Sequence, residues 1–274
     1  MENNIKTFSL FVRDDEKSNM IANYIRRLND DSKNCLVENE NGDLVIAIGG
    51  DGTFLKAITS TNFCQKKVYA GVHTGTLGFL QNLSENDIYA FFQYLSHEKE
   101  IKTRKVLIPS IVIEFYTGIR QKFKAFNEIL ICGKDYTVIR FSEYIGDEFF
   151  QEVCSNGIII SSSTGDTAYS MNAGGAIDFS NHFQLICSLL TPVKNSAYPD
   201  FTLNTVICSR ITVVPQRSRN IQIIIDGISQ KISSEQIKSV EVSMLNGESY
   251  INKLEIHQYS KVRVIREKIL GYNR

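Results

Sequence analysis

Asp51 sits in the stretch Val-Ile-Ala-Ile-Gly-Gly-Asp-Gly-Thr (45–53), where four apolar residues run into three glycines wrapped around one carboxylate. A glycine-rich turn between a buried strand and a helix suits phosphate, because glycines let an anion approach the backbone and the helix N-terminus offers free N–H groups. Gly49, Gly50, Gly52 and Thr53 are the candidates for such a phosphate or ATP contact. Neither common nucleotide plan is followed. The Gly133-Lys134 pair is followed by Asp135 instead of Ser or Thr, and the third glycine of a GxGxxG would fall at Leu55. Asp51 itself is out of place beside phosphate, since a carboxylate repels it. It could work with Mg²⁺ or as a base taking a proton from an attacking hydroxyl, worth ~10²–10⁴-fold in rate. It could equally cap the helix beginning near Thr53.

Three further clusters carry polar side chains where the pattern calls for core. Gly71-Val-His73-Thr-Gly75-Thr-Leu-Gly78-Phe79 is a second glycine turn after the next strand, with Phe79 either a core anchor or a platform for a base. Loops after successive strands of an α/β sheet open onto one crevice, so this turn should face the first. Ser161–Gly175 combines hydroxyls, small residues and Tyr169 directly after the apolar Ile158–Ile160. It reads as a ligand-facing loop or as a structural loop of Ser/Thr turns. Asn127-Glu128 lies inside AFNEILI, and polar pairs within a strand need partners, which a ligand's hydroxyls can supply.

The elements that must hold these residues change character near residue 100. Strands are expected at Ile5–Val12, Leu44–Ile48 and Val68–Val72, with helices over Asp15–Leu28 and Thr53–Ser60. Ser84-Glu-Asn-Asp87 matches a capping box opening a helix with Ile88, Phe91, Phe92 and Leu95 on one face. Alternating strand and helix argues for a parallel, Rossmann-like α/β domain over 1–100. Residues 101–258 read instead as a mostly antiparallel, β-rich domain. Its runs are Ile111–Tyr116, Lys122–Cys132, Thr137–Tyr144, Gly157–Ser161, Ile207–Val214, Ile221–Asp226 and Ser239–Met244, many of them separated by turns such as Asn246-Gly247. The segment 259–274 is expected to close the chain as a helix packing back on the first domain.

Composition narrows the function classes. Lys+Arg and Asp+Glu both total 30, so no global basic field exists to drive nucleic-acid binding. Six cysteines are scattered singly without CxxC, which disfavours a metal cluster or disulfide framework and suits buried thiols in a reducing compartment. The N-terminus lacks a signal-peptide pattern and no apolar run reaches membrane-spanning length, so a cytoplasmic protein with no membrane partner is expected.

With these clusters in order, the sequence resembles the NAD kinase family over nearly its whole length. The matching segments are GGDGT (49–53), TGTLGF (74–79), NE (127–128), STGDTAYSMNAGG (163–175), TP (191–192), DG (226–227) and the closing VRVIREKILGY. GGDGT also occurs in lipid kinases and phosphofructokinases; the NE pair and the TAYS segment make the match specific. The resemblance implies transfer of the γ-phosphoryl group of ATP, or of polyphosphate, to the adenosine-ribose 2′-hydroxyl of NAD, giving NADP, with Mg²⁺ supplying most of the positive charge. It implies Asp51 as general base, with Gly52 beside it, Phe79 against adenine, and Asn127 and Glu128 on the ribose. Thr164, Thr167, Ala168 and Tyr169 would line the NAD pocket, with Asn172 and Thr191 nearby and Asp226 at its edge. No protein side chain is assigned as a direct metal ligand. A homodimer or homotetramer is implied, with a site completed by a neighbouring subunit.

Three positions depart from the family pattern. Asn156 replaces an aspartate that reaches toward the nicotinamide end, Ser163 replaces a proline, and Asp166 replaces a Ser or Thr, adding negative charge near an anionic substrate. Two other readings therefore stand beside the kinase. One is a lipid kinase sharing the GGDG loop, against which the TAYS segment counts. The other is a regulatory protein that binds NAD or NADP without transferring phosphate.

Overall fold

The computed structural model describes residues 5–31, 35–75, 78–97, 100–180, 182–193, 202–216, 220–232, 237–244, 249–255 and 260–272. Thr76 and Leu77 of the second glycine turn, the Asn246-Gly247 turn and Tyr259 lie outside them. The chain divides into two compact units, Met1–Val106 with Tyr250–Arg274, and Leu107–Ser249.

In chain order the first unit holds β1 (Thr7–Val12), α1 (Glu16–Asp30), β2 (Val37–Glu38), β3 (Leu44–Gly49), α2 (Asp51–Ser60), β4 (Val68–His73), α3 (Ile88–His97) and β5 (Thr103–Leu107). The second unit holds β6 (Ser110–Phe115), β7 (Arg120–Lys124), β8 (Glu128–Gly133), β9 (Ile139–Ile145), β10 (Glu148–Ser155), β11 (Gly157–Ser162) and the short α4 (Tyr169–Asn172). It continues through β12 (Leu185–Leu190), β13 (Thr205–Cys208), β14 (Arg210–Pro215), β15 (Ile221–Ile225), β16 (Ile228–Ser229) and β17 (Ile237–Ser243). The chain then returns to the first unit with β18 (Tyr250–Leu254) and α5 (Lys261–Lys268).

The first unit is α/β. Its sheet runs β2-β1-β3-β4-β18-β5, and β3 pairs in parallel with β1 and β4. Every residue of β3 is buried, as its unbroken apolar run requires when helices cover both faces of a parallel sheet. Ile21, Ile25, Ile46, Ile48, Phe91 and Phe92 belong to the core that joins helices and sheet. The capping box is present: Asp87 Oδ2 accepts from Ser84 N at 2.7 Å and Ser84 Oγ at 2.6 Å, opening a single 3₁₀ turn that leads into α3. β18, read from the sequence as second-domain chain, pairs in parallel with β4. The first unit therefore takes in chain from both sides of the β-rich segment.

The second unit stacks two six-stranded sheets, β10-β9-β14-β17-β6-β7 and β13-β12-β11-β8-β15-β16. The strand pairs recorded within both are antiparallel. Ile111, Phe141, Val213 and Val240 from one sheet meet Ile131, Ile158, Ile160 and Leu185 from the other in a single core. β6 and β14 alternate buried residues with more exposed ones, the period-two pattern of a strand with one face in the core. The expected strand Lys122–Cys132 is two strands, broken over 125–127, and Asn127 stands at that break instead of inside a ladder.

Candidate active site

In the first unit, β3 ends at Gly49 and α2 starts at Asp51, with Gly50 as the N-cap residue and no side-chain capping bond. Asp51 is thus the first helical residue, and the reading of Asp51 as the helix cap is corrected. Its carboxylate instead accepts from Phe79 N (Oδ2, 2.9 Å) and Leu80 N (Oδ1, 2.9 Å) of the second glycine turn. Charge-assisted bonds of this kind are each worth about 1.5–3 kcal/mol. A Cβ at residue 78 would stand 2.2 Å from Asp51 Oδ1, so glycine there is what lets the two turns meet. Around Gly50 and Gly52, by contrast, a Cβ would meet nothing within 4 Å, which leaves open space beside the carboxylate. Thr53 is half-buried in the first turn of α2, its amide closed onto the Gly50 carbonyl at 3.0 Å.

Two lysines face this carboxylate, and neither was singled out from the sequence. Lys268, at the end of α5, donates to the Gly78 carbonyl and holds its ammonium 5.0 Å from the Phe79 ring centroid. Lys253 of β18 is only 5% exposed and lies 5.4 Å from the Phe54 ring centroid. Burial pulls the Lys253 ammonium down to about 7 and that of Lys268 to about 8, while the Asp51 charge opposes both shifts. The signal for Lys253 was present: a lysine inside the otherwise strand-like Tyr-Ile-Asn-Lys-Leu. Gly78 and Phe79 also border a cavity of about 260 Å³. Its charged lining is balanced, Arg104, Lys253 and Arg263 against Asp87, Glu255 and Glu267. The positive surroundings of Asp51 therefore come from the two lysines and the helix terminus, not from the cavity as a whole.

In the second unit, Asp226 organises the break before β8. It adopts a φ of +48°, and its carboxylate accepts from Phe126 N at 2.6 Å, Asn127 N at 2.7 Å and Glu128 N at 3.2 Å. Those amides favour its ionised form, while burial, the larger influence, raises its pKa. The loop after β11 is anchored to the same place. Ser162 N donates to the Asn127 carbonyl at 2.9 Å, Ser162 Oγ donates to the Phe126 carbonyl at 2.8 Å, and Thr164 N donates to Ser162 Oγ at 3.2 Å. A Cβ at residue 165 would lie 2.2 Å from the Asn127 carbonyl oxygen, so the loop comes this close only as Gly165. Glu128 is 9% exposed and its Oε2 has no partner among the described residues. Burial first, then the Asp226 charge, push its carboxyl up to about 7, while the amide of Tyr169 works against the shift.

Further along the same loop, Ser163, Thr164, Thr167 and Ala168 are half-buried, and Tyr169 and Asn172 are exposed on α4. Asp166 does not add charge to an open pocket as the sequence suggested. It is fully buried and its Oδ2 accepts from Asp178 N at 2.7 Å, which makes it an anchor for the following segment.

Asn156 and Thr191 are not brought to this cluster. They stand at the other end of β11, where Gly157 pairs with Leu190, and Thr191 Oγ1 donates to Asn156 Oδ1. Strand residues at about 3.3 Å each put roughly 20 Å between that end and Ser162. Among the described residues no group of three or more His, Cys, Asp or Glu converges to hold a metal ion. No helix among them is long and apolar enough to cross a membrane.

Residues 9–101 match the family profile of the ATP-NAD kinase N-terminal domain, and residues 126–253 that of the ATP-NAD kinase C-terminal domain. The chain is 29% identical over 264 residues to an NAD kinase of Caldicellulosiruptor bescii, covering 93% of this chain and 95% of that protein. It is 27% identical over 262 residues to an NAD kinase of Finegoldia magna, covering 93% and 94%. Among solved structures, yeast NADH kinase complexed with NADH superposes with a TM-score of 0.81 at 18% identity, covering 98% of this chain and 88% of that one. An NAD kinase from Archaeoglobus fulgidus in complex with ATP gives a TM-score of 0.70 at 17% identity, covering 97% and 100%.

Proposed function

The chain belongs to the NAD kinase family, and from that premise we infer an enzyme that transfers the γ-phosphoryl group of ATP to the adenosine-ribose 2′-hydroxyl of NAD, giving NADP and ADP. The observation that carries the chemistry is Asp51: one carboxylate fixed by two backbone amides, beside open space over Gly50 and Gly52. Asp51 takes the proton of the 2′-hydroxyl while that oxygen bonds to the γ-phosphorus and the bond to the bridging oxygen of ADP breaks. A general base must be aimed before it can act, and the amides of Phe79 and Leu80 do the aiming. The glycines and the first turn of α2 receive the donor phosphates through backbone N–H groups.

Most of the nucleoside contacts are drawn from the second unit, with Phe79 from the first. Asn127 and Glu128 meet ribose hydroxyls, and a glutamate poised near 7 with an unpartnered oxygen is suited to hydroxyl recognition. Phe79 covers the adenine, and Thr164, Thr167, Ala168, Tyr169 and Asn172 line the rest. Asn156 precedes β11 and Thr191 follows β12, at the end of that strand pair away from Thr164. That placement supports a role for them toward a second copy, in a homodimer or homotetramer. Mg²⁺ would be carried by the donor phosphates, with no protein side chain as direct ligand, and would neutralise charge on the transferring group. The six unpaired thiols suit the cytoplasm.

The test is NADP formation by the purified protein from NAD, ATP and Mg²⁺, with the product identified by an NADP-specific dehydrogenase. NADP at a rate proportional to enzyme is expected. NAD binding without any NADP would replace the kinase by the binding-protein reading. Polyphosphate and NADH in parallel assays define the donor and acceptor range.

A further inference from the structure

Resting on the reading of Asp51 as the base, we propose that Lys268 is a positioning residue for phosphoryl transfer: its ammonium clamps the Gly78–Leu80 turn from one side while Asp51 holds it from the other. The C-terminal helix, not the glycine loop alone, then sets the direction of the reactive carboxylate. Gly78 contributes no side chain to hold the turn, and the amides at 79 and 80 point into the Asp51 carboxylate. The Gly78 carbonyl takes the Lys268 ammonium, and the Phe79 ring lies 5.0 Å from that same ammonium. One side chain, 190 residues away in sequence, therefore fixes both the backbone and the ring of the turn.

Charged groups facing Lys268 among the described residues include Asp51 at the start of α2, Lys253 on β18 and Glu267 on its own helix, whose carboxylate also pairs with Arg263 at 2.8 Å. Burial opposes the ammonium, while Asp51 and Glu267 favour it, and the Lys268 charge in turn lowers the pKa of Lys253. Lys268 is consequently held down to about 8, so the clamp is closed at neutral pH and releases as pH rises past that value. A guanidinium at this position stays charged throughout and keeps a donor for the carbonyl.

The experiment compares wild type, Lys268→Met and Lys268→Arg by amide hydrogen exchange and by steady-state kinetics. In Lys268→Met, protection of the Phe79 and Leu80 amides should fall about 10- to 100-fold, the loss expected for one charge-assisted bond, while the β3 amides stay protected. The same variant should lose turnover by about 10-fold with a smaller change in KM for ATP, because it misdirects a group needed in the transition state. Lys268→Arg should restore protection and most of the turnover, and its rate should lack the decline above pH 8 expected of wild type. Unchanged protection at 79 and 80 in the Met variant, or failure of Arg to rescue either readout, overturns the clamp. Absence of NADP formation by wild type would overturn the kinase reading instead, and the exchange data would still decide whether Lys268 fixes the turn.

Discussion

Asp51 and Asp226 both hold the backbone amides of a distant loop in their carboxylates, yet their surroundings are opposite. Asp51 is half-buried, with Lys253 and Lys268 nearby and open space over the adjoining glycines. Asp226 is buried beside a second carboxyl, Glu128, and binds three successive amides. The first arrangement suits an anion that arrives and reacts, because positive charge and free volume meet at one oriented base. The second suits neutral hydroxyls, because one carboxylate is consumed by structure and the other sits near its own midpoint. In the proposed reading, phosphate chemistry falls to Asp51 and hydroxyl recognition to Asn127 and Glu128.

Removing the structural member of the second pair should have the largest effect. Asp226→Ala leaves three amide donors at the β8 break without their acceptor, and urea denaturation should show a loss of about 3–5 kcal/mol. A loss below about 1 kcal/mol would mean that the amides find water and that Asp226 is free for another task.

A smaller effect separates function from burial among the glutamates. Glu128 and Glu143 are both buried and both pushed up to about 7 chiefly by burial. The folded protein binds each of these protons more tightly than the unfolded chain, so stability is lost as pH rises from the ordinary carboxylate range through 7. Either Glu→Gln change should therefore leave stability nearly unaltered at pH 4 and raise it at pH 8, by up to about 3 kcal/mol. Equal gains at both pH values would show that the carboxyls are not held protonated. The two part company on ligand: Glu128→Gln should weaken NAD binding by about 10-fold in calorimetry, while Glu143→Gln should leave it unaltered.

The frame of the first unit was legible because its signals are local. The unbroken apolar run of β3, the glycines behind it and the capping box at Ser84 each specify one conformation from adjacent residues. The β-type runs at Ile111–Tyr116 and Ile207–Val214 likewise announced the second unit, although the latter covers the end of β13 and most of β14. What escaped the sequence depends on chain returning from far away. Lys268 reaches Gly78 only because α5 is folded onto the first unit, and a lone lysine in Arg-Glu-Lys carries no sign of that. The separation of Asn156 and Thr191 from Thr164 follows from strand direction, since the extended residues of β11 carry the chain away from where it started. Asp166 was misjudged because an acidic residue beside Gly165 looks exposed until the buried Asp178 amide is seen to need an acceptor.

The division of labour is tested most directly by measuring NAD affinity and NADP formation on Asp51→Asn beside wild type. The account predicts turnover lower by at least about 10²-fold and NAD affinity within about threefold of wild type, since the second unit's contacts are intact. Turnover within a few fold of wild type, or loss of NAD binding in step with turnover, would contradict it.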